Sequence, residues 1–243
     1  MFRPPLKNTA PSTATAALPT PAAAVEGLLR DLGSQLRRGG APAEPAARLA
    51  TGISEIDRLL GGGFPRGRLS EIAGAASSGR TSLALALLAR STGMGEVTAL
   101  VDCADAFDPS SADSAGVLLE RVLWVRTPRT PQALRCAERL LEAHGFALVL
   151  LDLAIPDLRS TPATALRLAR RAESTGTALV VLTRNRVLGT AAEIAIELAP
   201  AQTRFTGTPT LLEGLDVQVN LVRHRNAPGP RHATVRLRAT QAA

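Results

Sequence analysis

A glycine-rich stretch followed by hydroxyl residues carries the clearest chemical signal in this chain. Its spacing is that of a phosphate-binding loop, in which backbone N–H groups and a helix N-terminus face phosphate oxygens. The candidate binding residues are Gly74, Ser77, Ser78, Gly79, Arg80, Thr81 and Ser82. Arg80 stands where such loops carry lysine. Because a guanidinium is planar and larger than an ammonium, we expect weak nucleotide binding and little hydrolysis.

Two further residues are placed to contact the magnesium ion of a bound nucleotide. Thr81 takes the place of the hydroxyl that binds magnesium in such loops. The apolar run 148–151 ends in Asp152, where a carboxylate that supports the metal stands in nucleotide-hydrolysing folds. Thr81 and Asp152 are therefore the candidate metal contacts if a magnesium nucleotide binds. The alternative, an aspartate that only ends a buried strand, stays open.

Alternating apolar strands and helices position these residues. The predicted strands are 68–73, 97–102, 122–125, 147–151 and 178–182, and the predicted helices are 81–90, 131–144 and 164–174. Strands that are apolar without alternation favour a mostly parallel sheet with helices on both faces. The last three predicted strands, 194–198, 217–222 and 234–237, have no helices between them. We therefore predict an α/β fold with antiparallel C-terminal strands at one edge.

The N-terminal residues have a different composition. Residues 1–22 are rich in Pro, Ala and Thr, which predicts a disordered tail. Residues 23–48 are predicted to form an amphipathic helix and a linker, before a single domain over 49–243. The apolar stripe of that helix consists of Val25, Leu28, Leu29, Leu32 and Leu36. It forms a flexible arm that docks on a neighbouring molecule, or it folds back onto its own domain.

Composition limits the classes of function. The chain has 243 residues, 45% of them hydrophobic, and a formal net charge of +7 in which Lys7 is the only lysine. A basic surplus favours anionic partners. Scarce aromatic residues disfavour base stacking on nucleic acid. Two cysteines without ligand spacing indicate free thiols in a reducing compartment. The absence of a long apolar stretch predicts a cytoplasmic protein without a membrane contact.

The chain resembles the RecA family over roughly residues 50 to 240. The residues that carry the resemblance are Thr51-Gly52, Asp57, Gly61-Gly62-Gly63, Pro65-Arg66-Gly67-Arg68, Glu71, Gly74, Ser77-Ser78-Gly79, 81–85, Val101-Asp102, Ala106-Phe107-Asp108-Pro109, Asp152 and 222–227. The resemblance implies a RecA-like phosphate-loop core. It also exposes departures from the family pattern. Ala104 stands at the position of the glutamate that polarises the attacking water, with Asp105 the only nearby carboxylate. The family's nucleotide-sensing glutamine is absent near 183–185, and both DNA-binding loops are short.

Segments 124–141 and 166–173 are similar to the ImuA branch of that family. This resemblance implies a non-catalytic, nucleoid-associated adaptor in SOS mutagenesis and translesion synthesis. The implied partners are RecA and an inactive Y-family polymerase of the ImuB type, which serve an error-prone DNA polymerase. No catalytic residue and no required cofactor are predicted, and ATP and Mg bind weakly if at all. The alternative is a weakly active RecA-like ATPase in recombinational DNA repair.

A pair of arginines is the second candidate surface for partners. In the family, two lysines on the matching strand reach the nucleotide of the neighbouring protomer. Arg223 and Arg225 are two residues apart, so their side chains point to the same side of a strand. They contact an adjoining subunit, they belong to a solvated basic strand pair, or they make weak phosphate contacts with DNA.

Overall fold

The computed structural model describes residues 47–155, 162–225 and 231–238, all within one compact unit, Ala46–Ala243. The predicted tail and the amphipathic helix with its apolar stripe lie outside the described residues. In the part that is described, no helix is long and apolar enough to cross a membrane. Both cysteines are free, and Cys103 is buried.

Ten strands and five helices alternate along most of the described chain. The strands are β1 Arg48–Leu49, β2 Phe64–Pro65, β3 Leu69–Gly74, β4 Thr98–Asp102, β5 Val122–Arg126, β6 Leu148–Asp152, β7 Ala178–Thr183, β8 Ile194–Thr206, β9 Leu211–His224 and β10 Arg231–Arg238. The helices are α1 Ser54–Leu60, α2 Arg80–Gly93, α3 Pro109–Ser114, α4 Thr130–Glu142 and α5 Pro162–Thr175. Two short 3-10 helices, Leu119–Arg121 and Gly189–Ala191, complete the set.

Eight of these strands form one sheet, in the order β10-β9-β8-β3-β7-β6-β4-β5. The pairs from β8 through to β5 are parallel, whereas β8 with β9 and β9 with β10 are antiparallel. The predicted α/β fold with antiparallel C-terminal strands is therefore confirmed. The carboxyl ends of the parallel strands meet at one edge of the sheet, which is the edge that carries ligand sites in folds of this kind.

The core lies on both faces of the sheet. Along β6, Leu148 and Leu150 belong to the cluster that includes residues of α1 and α2, while Val149 and Leu151 belong to the cluster that includes α4 and α5. Successive side chains of a strand point to opposite faces, so a strand covered on both sides must be apolar throughout. Each fully buried leucine of this kind stabilises the fold by about 1.5–3 kcal/mol. This double burial fixes where β3 and β6 end, and hence where the loop and Asp152 lie.

The hairpin of β8 and β9 is much longer than predicted. The expected strands were 194–198 and 217–222, but β8 runs to Thr206 and β9 begins at Leu211. Leu198 pairs with Gly74 at the end of β3, so residues 199–206 extend past the end of that parallel strand. At about 3.3 Å per residue this overhang is roughly 25 Å long. The added length places the hairpin beside the glycine-rich loop.

Candidate functional site

The glycine-rich loop joins the carboxyl end of β3 to the start of α2. Gly79 precedes the helix with φ of 90°, and no side chain caps the helix. The first backbone N–H groups of a helix have no acceptor within it, so an uncapped start offers donors to a ligand. A Cβ atom at Gly74 would lie 2.4 Å from the Ser78 hydroxyl oxygen, which explains the glycine there. The local geometry is that of a phosphate-binding loop.

The loop faces a cavity of about 600 Å³ between it and the β8–β9 hairpin. The loop side consists of Ala75 and residues 77–82, and the opposite side includes Pro200, Thr203 and Leu212. All the candidate loop residues except Gly74, which lies at the base of the loop, therefore meet around one space. Thr81 and Ser82 are exposed, whereas Ser78 is 1% exposed. The sequence predicted the loop side of this cavity but not the hairpin side.

Arg80 reaches across the sheet edge to the end of β7. Its Nη1 atom donates a hydrogen bond to the Thr183 carbonyl oxygen at 3.0 Å. Burial lowers the pKa of Arg80, while the attraction of Asp152 acts in the opposite direction. The guanidinium is therefore fixed to the chain itself, close to the carboxylate that the sequence assigned to magnesium.

Asp152 lies at the end of β6, beside Asp102 at the end of β4. Both carboxylates are buried, at 9% and 2% exposure. Burial is the main cause that raises the pKa of Asp152, and Asp102 adds to it; a hydrogen bond from the Ala154 N–H, at 2.9 Å, and the charge of Arg80 oppose the rise. The Asp102 carboxylate accepts hydrogen bonds from the backbone N–H groups of Ala106 and Phe107. Arg80 thus supplies positive charge to Asp152, one of two neighbouring buried acids.

The carboxylate nearest to Ala104 is turned toward the outer edge of the sheet. Asp105 has φ of 51° and accepts hydrogen bonds from the Arg126 Nε and Nη2 atoms at 3.0 and 2.6 Å. Arg126 also lies over the Trp124 ring, with 5.3 Å from its Cζ atom to the ring centre. Two strands, β6 and β7, separate β4 from the strand that carries the loop. In this arrangement the Asp105 carboxylate is paired with Arg126, and both side chains are exposed.

Glu71 is a site residue whose role sequence reasoning missed. It lies on β3 with no exposed surface and accepts hydrogen bonds from the N–H groups of Val187 and Leu188 at 2.7 and 3.3 Å. The Thr183 hydroxyl also donates to it, at 3.2 Å. Burial raises the pKa of Glu71 despite these donors. The signal was a lone charge in an otherwise apolar strand, because such a group requires partners when it is buried.

Arg223 and Arg225 lie at the end of the sheet opposite the loop. Arg223 pairs with Ala195 near the start of β8, and its Nε atom donates to the Ala192 carbonyl oxygen at 2.7 Å. Both arginines also reach the Thr190 carbonyl oxygen at 3.4 Å, which confirms that they point to the same side. The structure therefore does not bring them together with the loop. The apolar stripe of residues 25–36 lies outside the described part of the chain.

Comparisons with known proteins agree with this geometry. The RecA N-terminal domain family matches residues 23–162, more than half of the chain. Protein RecA of Rubrobacter xylanophilus is 37% identical over 121 residues, which cover 49% of this chain and 35% of that protein. Protein RecA of a Picosynechococcus species is 35% identical over 120 residues, 49% of this chain and 34% of that one. The chain thus spans about a third of the length of these relatives.

The solved structures point to the same fold. A crystal structure of the RadB recombinase superposes with a TM-score of 0.62 and 23% sequence identity, over 77% of this chain and 95% of that one. That likeness concerns the fold alone. Together with the family match and the loop geometry, it leads to one conclusion: the chain belongs to the RecA family.

Proposed function

We propose that this chain is a non-catalytic RecA-family adaptor in the DNA-damage response. Its proposed partners are RecA itself and an inactive Y-family polymerase of the ImuB type, through which it serves error-prone translesion synthesis at the nucleoid. The observation that carries the proposal is which partners two charged side chains bind. Arg80 is bound to Thr183, and Asp105 is bound to Arg126. Both charges are engaged by other residues of the chain, which supports a role without hydrolysis.

Hydrolysis needs a cationic side chain that contacts the β- and γ-phosphates. It also needs a side chain that orients the attacking water. The loop keeps the backbone that would hold phosphates but has Arg80 in place of the lysine. At the water-orienting position stands Ala104, which has no polar side chain. A RecA-family domain that retains its shape and lacks these groups is suited to bind proteins rather than to turn over ATP. This argument supports the adaptor role.

The alternative function is a weakly active ATPase in recombinational DNA repair. The feature that favours it is the preserved loop geometry, with an uncapped helix start facing a cavity of about 600 Å³. Both functions use the same family fold, and they differ in whether phosphate is released. A direct assay therefore separates them.

The test measures phosphate release from ATP and magnesium by the full chain, with and without single-stranded DNA. We expect the wild type, Arg80→Lys and Ala104→Glu to remain at background, because each single variant still lacks one of the two groups. We expect the double variant Arg80→Lys with Ala104→Glu to release phosphate above background. Arg90→Lys, an exposed position on the same helix, is the matched control.

One result would reverse the conclusion. If the wild type releases phosphate in a DNA-stimulated reaction, and Asp152→Asn abolishes that release, the chain is an ATPase and the alternative stands. Background release in the wild type together with activity in the double variant supports the adaptor.

A further inference from the structure

The charges around Asp152 do not suit a divalent cation. Magnesium takes six oxygen ligands in octahedral geometry, and at nucleotide sites most of them are waters and phosphate oxygens, with only one or two from side chains. Here the candidate oxygens are the exposed hydroxyl of Thr81 and the carboxylate of Asp152. The decisive feature is the Arg80 guanidinium, which is hydrogen-bonded to the Thr183 carbonyl oxygen, next to Leu182, the residue that pairs with Asp152.

A guanidinium held in this way opposes a second cation. It is always charged and cannot give up its proton to make room. Like charges repel strongly at short separation in a partly buried site. A divalent ion beside Asp152 would therefore have to displace Arg80 from the Thr183 carbonyl oxygen. The residues present do not fit the metal that the family uses.

The anion-binding half of the site is intact. Helix α2 is 14 residues long and begins without a side-chain cap, so its first N–H groups and its dipole favour negative charge at the cavity. Ser78 lines that cavity and is 1% exposed, and its hydroxyl has no hydrogen-bond partner. A buried hydroxyl without a partner is unfavourable, so a ligand oxygen that satisfied it would be favoured. The loop retains donors for phosphate although the metal position is filled by the chain.

We propose that Arg80 is a built-in cation that replaces the divalent ion, so that the loop binds a polyphosphate anion such as the triphosphate of ATP without magnesium. The proposal rests on the proposed function in one respect, since a nucleotide that is not hydrolysed stays bound as a structural ligand. It adds that the ligand is the metal-free anion and that Arg80 neutralises it. A lysine at position 80 would not fill the space beside Asp152 that the Arg80 guanidinium occupies.

The experiment is titration calorimetry of the full chain with ATP, once in excess magnesium and once in excess EDTA. For the wild type we expect dissociation constants that agree within about threefold, well below the tenfold change that corresponds to 1.4 kcal/mol. We expect Arg80→Lys to bind ATP at least about tenfold more tightly in magnesium than in EDTA, because its compact ammonium leaves room for the ion. Arg90→Lys on the exposed part of α2 should behave as the wild type.

Two results would overturn the proposal. One is wild-type binding that tightens tenfold or more in magnesium, and the other is no binding of ATP under either condition. Arg80→Ala adds a second measurement, for which we expect weaker binding in both buffers; thermal unfolding of this variant checks that it is folded. If it is unfolded, the comparison of buffers in the wild type still decides.

The outcomes separate this inference from the proposed function. Magnesium-dependent binding without phosphate release contradicts the metal-free site and leaves the adaptor role standing. Phosphate release contradicts the adaptor role, whatever the calorimetry shows.

Discussion

Thr183 connects a buried charge and a partly buried one that come from distant parts of the sequence. Its carbonyl oxygen accepts from Arg80, 103 residues away, and its hydroxyl donates to Glu71, 112 residues away. The loop position of Arg80 could be predicted, because the spacing of the glycines fixes it. The partners of both charges could not, because separations of this length depend on strand order. Glu71 therefore ties the segment after β7 to the strand that carries the loop.

Glu71 gives a pH-dependent prediction. Burial raises its pKa, so the folded state favours the protonated acid; its contribution to stability is present at low pH and is lost as the pH rises through the raised pKa. Glutamine cannot ionise. We therefore expect the unfolding free energy of the wild type to fall relative to that of Glu71→Gln as the pH rises above the ordinary glutamate value of 4.5. Urea denaturation across that pH range measures the difference.

The slope with pH is the diagnostic quantity in this experiment, since the substitution also changes hydrogen bonds to Leu188. Glu120→Gln, at an exposed position, is the control and should follow the wild type. Parallel curves for the wild type and Glu71→Gln would show that the buried carboxyl does not titrate as argued.

At the level of elements, the parallel strands and the helices between them follow from apolar patterns. The predicted strand 97–102 is observed as Thr98–Asp102, and the predicted helix 81–90 as Arg80–Gly93. The outer half of the β8–β9 hairpin has no such pattern, because residues 199–213 are mostly exposed and mix polar residues with the exposed Phe205, Leu211 and Leu212. Cross-strand contacts contribute there instead, including two hydrogen bonds from Arg204 to Asp216 at 2.8 and 2.6 Å.

Short helices were missed for a different reason. Helix α3 has six residues, too few to show a period. It does carry local signals, since Asp108 accepts a hydrogen bond from the Ser111 N–H at 2.8 Å and Pro109 begins the helix. An aspartate cap followed by proline is a recognisable start, and this signal could have located the helix.

The packing of the loop against β9 and β10 can be tested at Gly79. A Cβ atom there would lie 2.6 Å from Leu237 Cδ1 and 2.9 Å from Val217 Cγ2, at a φ that L residues rarely adopt. We expect Gly79→Ala to lower the unfolding free energy by about 2–4 kcal/mol, from backbone strain and overpacking together. Chemical denaturation measures this change.

Gly95→Ala is the matched control for that substitution. Gly95 has φ of 83°, close to that of Gly79, but a Cβ atom there would meet nothing within 4 Å. Gly95→Ala should lower the unfolding free energy only through backbone strain, by about 1–2 kcal/mol. Equal losses of unfolding free energy at the two positions would mean that β9 and β10 are not tightly packed against the loop.

On the scale of the whole molecule, the sheet carries different chemistry at its two ends. The loop, Arg80 and the buried acids lie at the carboxyl end of the parallel strands. Arg223 and Arg225 lie at the other end, where they hold the segment that contains Thr190. The sequence predicted both sets of residues, but their separation depends on the register of β8 with β9. A partner that touches both sets must span the length of the sheet.

Binding to RecA tests the proposed partner surfaces. We expect pull-down of purified RecA to be lost when residues 1–40 are deleted, because that deletion removes the apolar stripe predicted over 25–36. We expect Arg225→Glu to weaken it, because that side chain is 56% exposed and reversal of its charge would repel an acidic partner face. Arg223 is a poorer probe, since its Nε atom holds the Ala192 carbonyl oxygen.

Arg139→Glu, at a side chain that is 85% exposed on α4, controls for the change in net charge. Retained binding by the truncated chain would exclude the N-terminal residues as the docking element. Equal weakening by Arg225→Glu and Arg139→Glu would point to general charge instead of a defined surface.

The contact between Trp124 and Phe107 has an optical consequence. The chain has one tryptophan and no tyrosine, so its intrinsic fluorescence comes from a single indole. That ring stands edge-on to Phe107, with 5.1 Å between ring centres, and beneath the Arg126 guanidinium. Phe107 follows Ala104 and Asp105 in the segment after β4. The protein therefore contains its own emission probe beside the segment that follows β4, and no dye has to be attached to follow that segment.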